Sequence, residues 1–295
     1  MKSLLLKLWI YLKLGWRWYV SQYRGKWYQR IVTPIASFFV FFYLYLGAVD
    51  MNFLGLFGVS PTMDVIQNPV TNDASFVYSA DSVLIGKFFN ENRSPVKFKE
   101  ISPYVIDALI STEDERFYQH HGIDYQGLFA AGKDILKGNP RGASTITQQL
   151  VKNLFKIRSQ YSTGLLGKVP GLGILVMKSK EWITAIKIEN MYSKEDILTL
   201  YLNTVDFGSN SFGIKTAAKT YFKTTPQNLT AEQSAVLVGL LKATTTYNPK
   251  VNPKNSLERR NVVLNNMFEH GKLTRQELDS LVKIPINLNY TVEKS

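Results

Sequence analysis

The sequence predicts a mainly α protein with one small β-hairpin, preceded by one transmembrane helix. Three observations carry that prediction. Residues 31–49 run nineteen positions without a charge, and at about 1.5 Å per helical residue such a stretch crosses a bilayer. After residue 100, apolar residues recur at helical rather than strand spacing. Three capping boxes, Ser193 with Asp196, Thr230 with Gln233 and Thr274 with Glu277, each stand ahead of an apolar run.

The 295 residues include no cysteine, which excludes disulfides, thiolate metal sites and a thiol nucleophile. Three histidines without an HExxH pattern argue against a histidine-held metal. The formal charge is +12, and residues 1–30 alone carry Lys2, Lys7, Lys13, Arg17, Arg24, Lys26 and Arg30 with no acid. Cations gathered in front of an apolar span favour an anionic membrane surface over nucleic acid. Residues 3–20 interleave leucine and tryptophan with lysine and arginine, as an interfacial amphipathic helix does. The expected order is a cytoplasmic basic segment (1–30), a transmembrane helix (31–50) and an extracytoplasmic remainder.

Residues 51–74 read as a stalk, because 60–73 hold two prolines, two asparagines and little apolar pattern. Residues 75–79 and 83–89 flank Ala80, Asp81 and Ser82 as a short hairpin. Ser102 and Pro103 then mark a helix start. Val105, Ile106, Leu109 and Ile110 give this helix an apolar face that runs into residues 111–122. That stretch holds Glu113, Asp114, Glu115, Arg116, His120 and His121 and stops at Gly122. A carboxylate delivered by a packed helix suits a general base, and a solvated helix end is the plainer reading.

A Gly-rich turn at 138–142 opens a second helix with Ser144 and Thr145 at its start. Backbone N–H groups at a helix N-terminus form an anion cradle, to which Arg141 and Lys152 add charge. Neither a Walker A nor a dinucleotide fingerprint is present. Further on, Lys178 and Glu181 share a helix face. Residues 193–208 form a capped helix running into a turn. Residues 213–222 place Ala217 and Ala218 where helices pack closely.

In this order the segments resemble the five motifs of the peptidoglycan glycosyltransferases, glycosyltransferase family 51. Glu113, Asp114, Phe117, His120 and Gly122 match the first, Glu-Asp-x-x-Phe-x-x-His-x-Gly. The second, Gly-x-Ser-Thr-Ile-Thr-Gln-Gln-x-x-Lys-Asn, is matched at each fixed position from Gly142 to Asn153. Lys178 and Glu181 match the third, Arg-Lys-x-x-Glu. The fourth resembles Ile197 and Leu198 through Asn203 to Gly208, and the fifth Gly213 with Tyr221 and Phe222. The resemblance covers about residues 75–285, with 286–295 as a C-terminal tail.

The resemblance implies a lysozyme-like helical glycosyltransferase domain that polymerises lipid II into β-1,4-linked glycan, inverting the donor anomeric carbon and releasing undecaprenyl pyrophosphate. It makes Glu113 the general base on the acceptor hydroxyl and Glu181 the donor-side carboxylate. Lys152, Lys178 and Lys180 become the cations for the pyrophosphate. Ser144, Thr145, Gln148, Gln149 and Asn153 are substrate-binding residues, with Arg141 in addition. No cofactor is required, and a divalent cation, Mg or Mn, is an optional companion at the pyrophosphate. The implied partners are lipid II, the growing glycan chain, bacterial membrane lipids and other cell-wall synthesis proteins.

Two departures stand out. Met177 occupies the position of the third motif's arginine, so one cation is missing or comes from elsewhere. Residues 156–177 are longer than in compact members and Gly-rich among apolar residues, which fits a membrane-dipping flap. A glycan hydrolase is the rival reading, and the cationic second and third motifs argue against it. Ser94 with Lys97 and Ser280 with Lys283 match Ser-x-x-Lys, but no Lys-Thr-Gly or Ser-x-Asn follows.

Overall fold

The computed structural model describes residues 2–22, 25–69, 75–78, 80–81, 84–88, 95–138 and 142–291. They divide into two compact units, residues 1–59 with 163–176, and residues 60–162 with 177–295. This division differs from the expected boundaries at both ends of the domain, since residues 60–74 and 286–295 group with it, and once inside it. Residues 163–176, placed by sequence inside the domain, group with the N-terminal unit.

In the first unit, α1 (Lys2–Gln22) and α2 (Trp27–Asp50) are helices. α2 is long and apolar enough to cross a membrane, and its most apolar stretch has no buried residue. A span surrounded by lipid instead of protein has this exposure. Within the same unit the Leu166 N–H donates to the Leu56 carbonyl at 3.0 Å. Gly164, at φ +63°, lies so close to the Leu56 and Gly58 backbone that no Cβ fits.

The second unit opens with α3 (Met63–Gln67). This corrects the stalk reading in part, because Ile66 is fully buried in the core and the Tyr192 hydroxyl donates to its carbonyl at 2.9 Å. One buried residue in a five-residue helix makes no periodic pattern that the sequence reveals. β1 (Ser75–Tyr78) and β2 (Leu84–Phe88) form the expected antiparallel hairpin, with an irregularity between Val77 and Tyr78.

α4 (Pro103–Glu113) begins as expected at Pro103, but the Ser102 hydroxyl donates to the Leu229 carbonyl and leaves the helix uncapped. α5 (Tyr125–Leu136), α6 (Ile146–Leu154) and α7 (Ile157–Gln160) follow. α8 (Leu172–Glu189) starts well before the third motif, so the supposed loop at 156–177 is helical in its last part. Gly171 at φ +82° is the last positive-φ residue before it, and the apolar run that follows carries straight into the helix.

α9 (Lys194–Thr204), α10 (Ile214–Phe222), α11 (Ala231–Leu240), α12 (Pro253–Glu269) and α13 (Arg275–Leu281) complete the unit. Eight of the ten residues of α11 are buried, as befits a helix apolar on every side, and it packs against α4 and α12. The tail is docked: the N–H groups of Asn289 and Thr291 donate to the Tyr221 and Thr220 carbonyls. Asn203 of the fourth motif holds Val96 through both its backbone groups, at 3.0 and 2.8 Å. Gly213 of the fifth motif, at φ +80°, sits where a Cβ would meet the Asn203 carbonyl at 2.8 Å. These two motif residues are architectural.

Candidate active site

Glu113 is the last residue of α4, where the helix gives way to the loop carrying the rest of the first motif. Its half-buried carboxylate accepts a hydrogen bond through Oε2 from Gln149 Nε2 at 2.8 Å. The Gln149 amide is in turn oriented by the Tyr201 hydroxyl, which donates to Oε1 at 3.0 Å. Burial, then the Glu113 charge, raises the Tyr201 pKa well above its ordinary value, so the phenol remains a donor. Glu113 lines a cavity of about 310 Å³ together with Arg116, Asp124, Gly142, Ser144 and Thr145.

The neighbouring Asp114 faces inward and is 6% exposed. It accepts from the Ile146 N–H at 2.9 Å and from His120 Nε2 at 2.9 and 3.0 Å. His120 Nδ1 accepts from the Gly122 N–H, which assigns the ring proton to Nε2. Motif histidine and aspartate thus brace the loop onto the start of α6. The anion cradle expected at that helix start is partly spent internally. Ile146 N–H goes to Asp114, and Gln148 N–H goes to the Thr145 hydroxyl at 3.2 Å. A helix end inside a packed core satisfies its orphan donors with protein groups.

Gly122 shows why this loop ends in glycine. At φ +85°, a Cβ here would lie 2.9 Å from the Ala185 backbone in α8. Its carbonyl accepts from the Thr145 hydroxyl and from Gln148 Nε2, both at 2.9 Å.

Glu181, on α8, is 1% exposed. Its Oε2 accepts from Lys178 Nζ at 3.0 Å and its Oε1 from Arg158 Nε at 2.8 Å. Lys178 also reaches Ser144 Oγ at 2.8 Å and Gln148 Oε1 at 3.0 Å. Adjacent glutamines of α6 therefore serve the two glutamates, Gln149 directly and Gln148 through Lys178. Lys152 lies on the same face of α6 as both. Its pKa is lowered by burial and by the charge of Arg158, while Glu181 and Glu113 pull it back up. Asn153 is half-buried one position further along α6.

Of the remaining expected residues, one falls elsewhere and one is not described. Lys180 is fully buried, and its ammonium donates to the Ser162 carbonyl at 2.8 Å; burial brings its pKa down to about 8. On a helix, positions 178 and 180 point to opposite sides, so α8 gives the two lysines different surroundings. Arg141 lies outside the described residues.

Sequence reading missed Arg158 and Tyr201. Arg158 stands in a short mixed polar segment with no spacing that ties it to a glutamate 23 residues on. Tyr201 falls within the fourth motif, which by itself assigns it no role at Glu113. For a divalent cation the donor set does not fit: both Glu181 oxygens are taken by cations. Among the described residues no group of three His, Cys, Asp or Glu is placed to hold a metal.

A family model described as Transglycosylase matches residues 81–268. Penicillin-binding protein 1A of Escherichia coli strain K12 is 40% identical over 216 residues, 72% of this chain and 24% of that protein. Penicillin-binding protein 1F of Bacillus subtilis strain 168 is 34% identical over 252 residues, covering 84% of this chain and 33% of that one. The crystal structure of penicillin-binding protein 1A from Haemophilus influenzae aligns with a TM-score of 0.43 and 26% identity, over 76% of this chain and 22% of that one. The chain thus spans about a quarter to a third of the length of these curated relatives. A match over residues 81–268 takes in all five motifs and most of the second unit, and the chain belongs to the Transglycosylase family.

Proposed function

We propose that this chain is a peptidoglycan glycosyltransferase that polymerises lipid II into β-1,4-linked glycan at the outer face of a bacterial cytoplasmic membrane. The observation that supports the reading most is the unequal setting of the two glutamates. Among the described residues no cation forms an ion pair with Glu113, whereas Glu181 is held between Lys178 and Arg158, with Lys152 in their field. A carboxylate without a cation partner accepts a proton, and a group of cations takes a pyrophosphate leaving group.

In this reading Glu113 removes the proton of the acceptor 4-hydroxyl as that oxygen attacks the donor anomeric carbon. The bond to the pyrophosphate oxygen breaks on the opposite face, so the configuration inverts. The leaving pyrophosphate needs charge more than a proton, and Lys152, Lys178 and Arg158 supply it. Gln149 orients the base by donating to its Oε2, which leaves Oε1 for the acceptor hydroxyl. The protein's own cations fill the place of a divalent metal. The seven cations of residues 1–30 keep the N-terminus cytoplasmic and the second unit outside.

Glu113→Gln tests the base. The variant should retain its thermal transition and make no glycan from lipid II on a product gel. Strand synthesis near the wild-type rate would remove Glu113 from the reaction.

A further inference from the structure

We infer that α5 is a membrane-docking helix, whose outer face lies in the headgroup–acyl boundary of an anionic bilayer. The helix is anchored on one side only. Ala131 is buried at 4% exposure, while Tyr125 is 69%, Phe129 68% and Leu136 89% exposed. At 100° per residue, Tyr125, Phe129, Gly132 and Leu136 fall on one narrow outward stripe. Lys133 and Lys137 lie along its flank, and the Lys133 ammonium sits over the Phe129 ring at 4.5 Å from the centroid.

An aromatic and aliphatic stripe edged by lysines complements a lipid surface, where apolar side chains sink below the headgroups and ammonium groups meet phosphate. The same chain carries α2, apolar and long enough to keep it at a bilayer. Among the described residues of the second unit, no other helix exposes both a leucine and a phenylalanine on one face.

The docking has a consequence for the site. Asp124 caps α5 by accepting from the Gly127 N–H at 3.0 Å, and it also accepts from Arg116 Nε and Nη2. Asp124 and Gly127 line the cavity beside Glu113. A bilayer that takes up α5 therefore lies next to that cavity, which is where a lipid-borne acceptor has to arrive.

The chain has no cysteine, so one introduced residue gives a single labelling position. Gly132 has nothing within 4 Å of a built Cβ, which makes Gly132→Cys a mild change in the middle of the stripe. The full chain, labelled there with NBD and placed in phosphatidylglycerol-containing nanodiscs, should show blue-shifted emission. Lipid nitroxides near the headgroup should quench it several-fold more than the same label at Gln276→Cys on α13. Adding Phe129→Glu and Leu136→Glu should return the emission to its aqueous position. Aqueous emission with equal iodide quenching at both positions would overturn the assignment. So would a blue shift without lipid quenching that grows with protein concentration, since that marks a second copy on the stripe.

Discussion

Arg158 Nε lies 2.8 Å from Glu181 Oε1, and this contact answers the missing arginine of the third motif. Met177 leaves the start of that motif without a cation, and α7 delivers one from 19 positions earlier in the chain. Arg158→Ala should lower glycan synthesis from lipid II by about 10²-fold, the scale of removing one preorganised donor from a developing charge. Adding Met177→Arg should recover most of it, because both side chains start within reach of Glu181. Turnover assays on the single and double variants check this.

The Tyr201 hydroxyl reaches Glu113 by hydrogen bonds through the Gln149 amide. In Tyr201→Phe that amide loses its orienting donor. The net worth of one such bond, about 1 kcal/mol, corresponds to a fivefold drop in kcat with little change in KM. A Gln149→Ala variant should lose more, and combining the two should add nothing to the Gln149→Ala loss.

Gly122→Ala should destabilise the second unit without touching either glutamate. It places a Cβ at positive φ and against the Ala185 backbone. The backbone strain alone costs of order 1–2 kcal/mol, and the clash adds to it. A lowered thermal midpoint checks this, with activity per folded molecule reduced far less than in Arg158→Ala.

His270 predicts a pH dependence. Its Nδ1 faces the Asn266 carbonyl at 2.8 Å and its Nε2 faces Glu115 Oε2 at 2.9 Å, so both nitrogens must carry protons. The Glu115 hydrogen bond, then the Asn266 carbonyl, raises the His270 pKa above 6.5. The same bond to His270, opposed by burial, and then Arg116 lower Glu115 below 4.5. The histidine contribution is complete below about 6.5 and fades as pH climbs through its raised value. The Glu115 contribution is present above about 4.5 and fades as pH falls. Thermal melts of His270→Gln against wild type should therefore differ most between those values and converge at alkaline pH.

Much of the fold was legible in the sequence because its signals are local. Pro103 starts α4, and Ser193 with Asp196 and Thr274 with Glu277 form the boxes that open α9 and α13. An uncharged run of bilayer length becomes α2. Ile66 was missed because one buried residue makes no pattern, and the first turns of α8 because glycines masked a helix that packing and an apolar run sustain. The site divides the same way. Side-chain identity at fixed spacing determined which groups are the candidates for the chemistry: Glu113, the Gln148 and Gln149 pair, Lys152, Lys178 and Glu181. Only the tertiary structure decided how they are used. It spent the α6 N-terminus on Asp114, turned Lys180 into the interior, and brought Arg158 to Glu181. Charge balance around a buried carboxylate depends on distance through space, and no spacing along the chain encodes that distance.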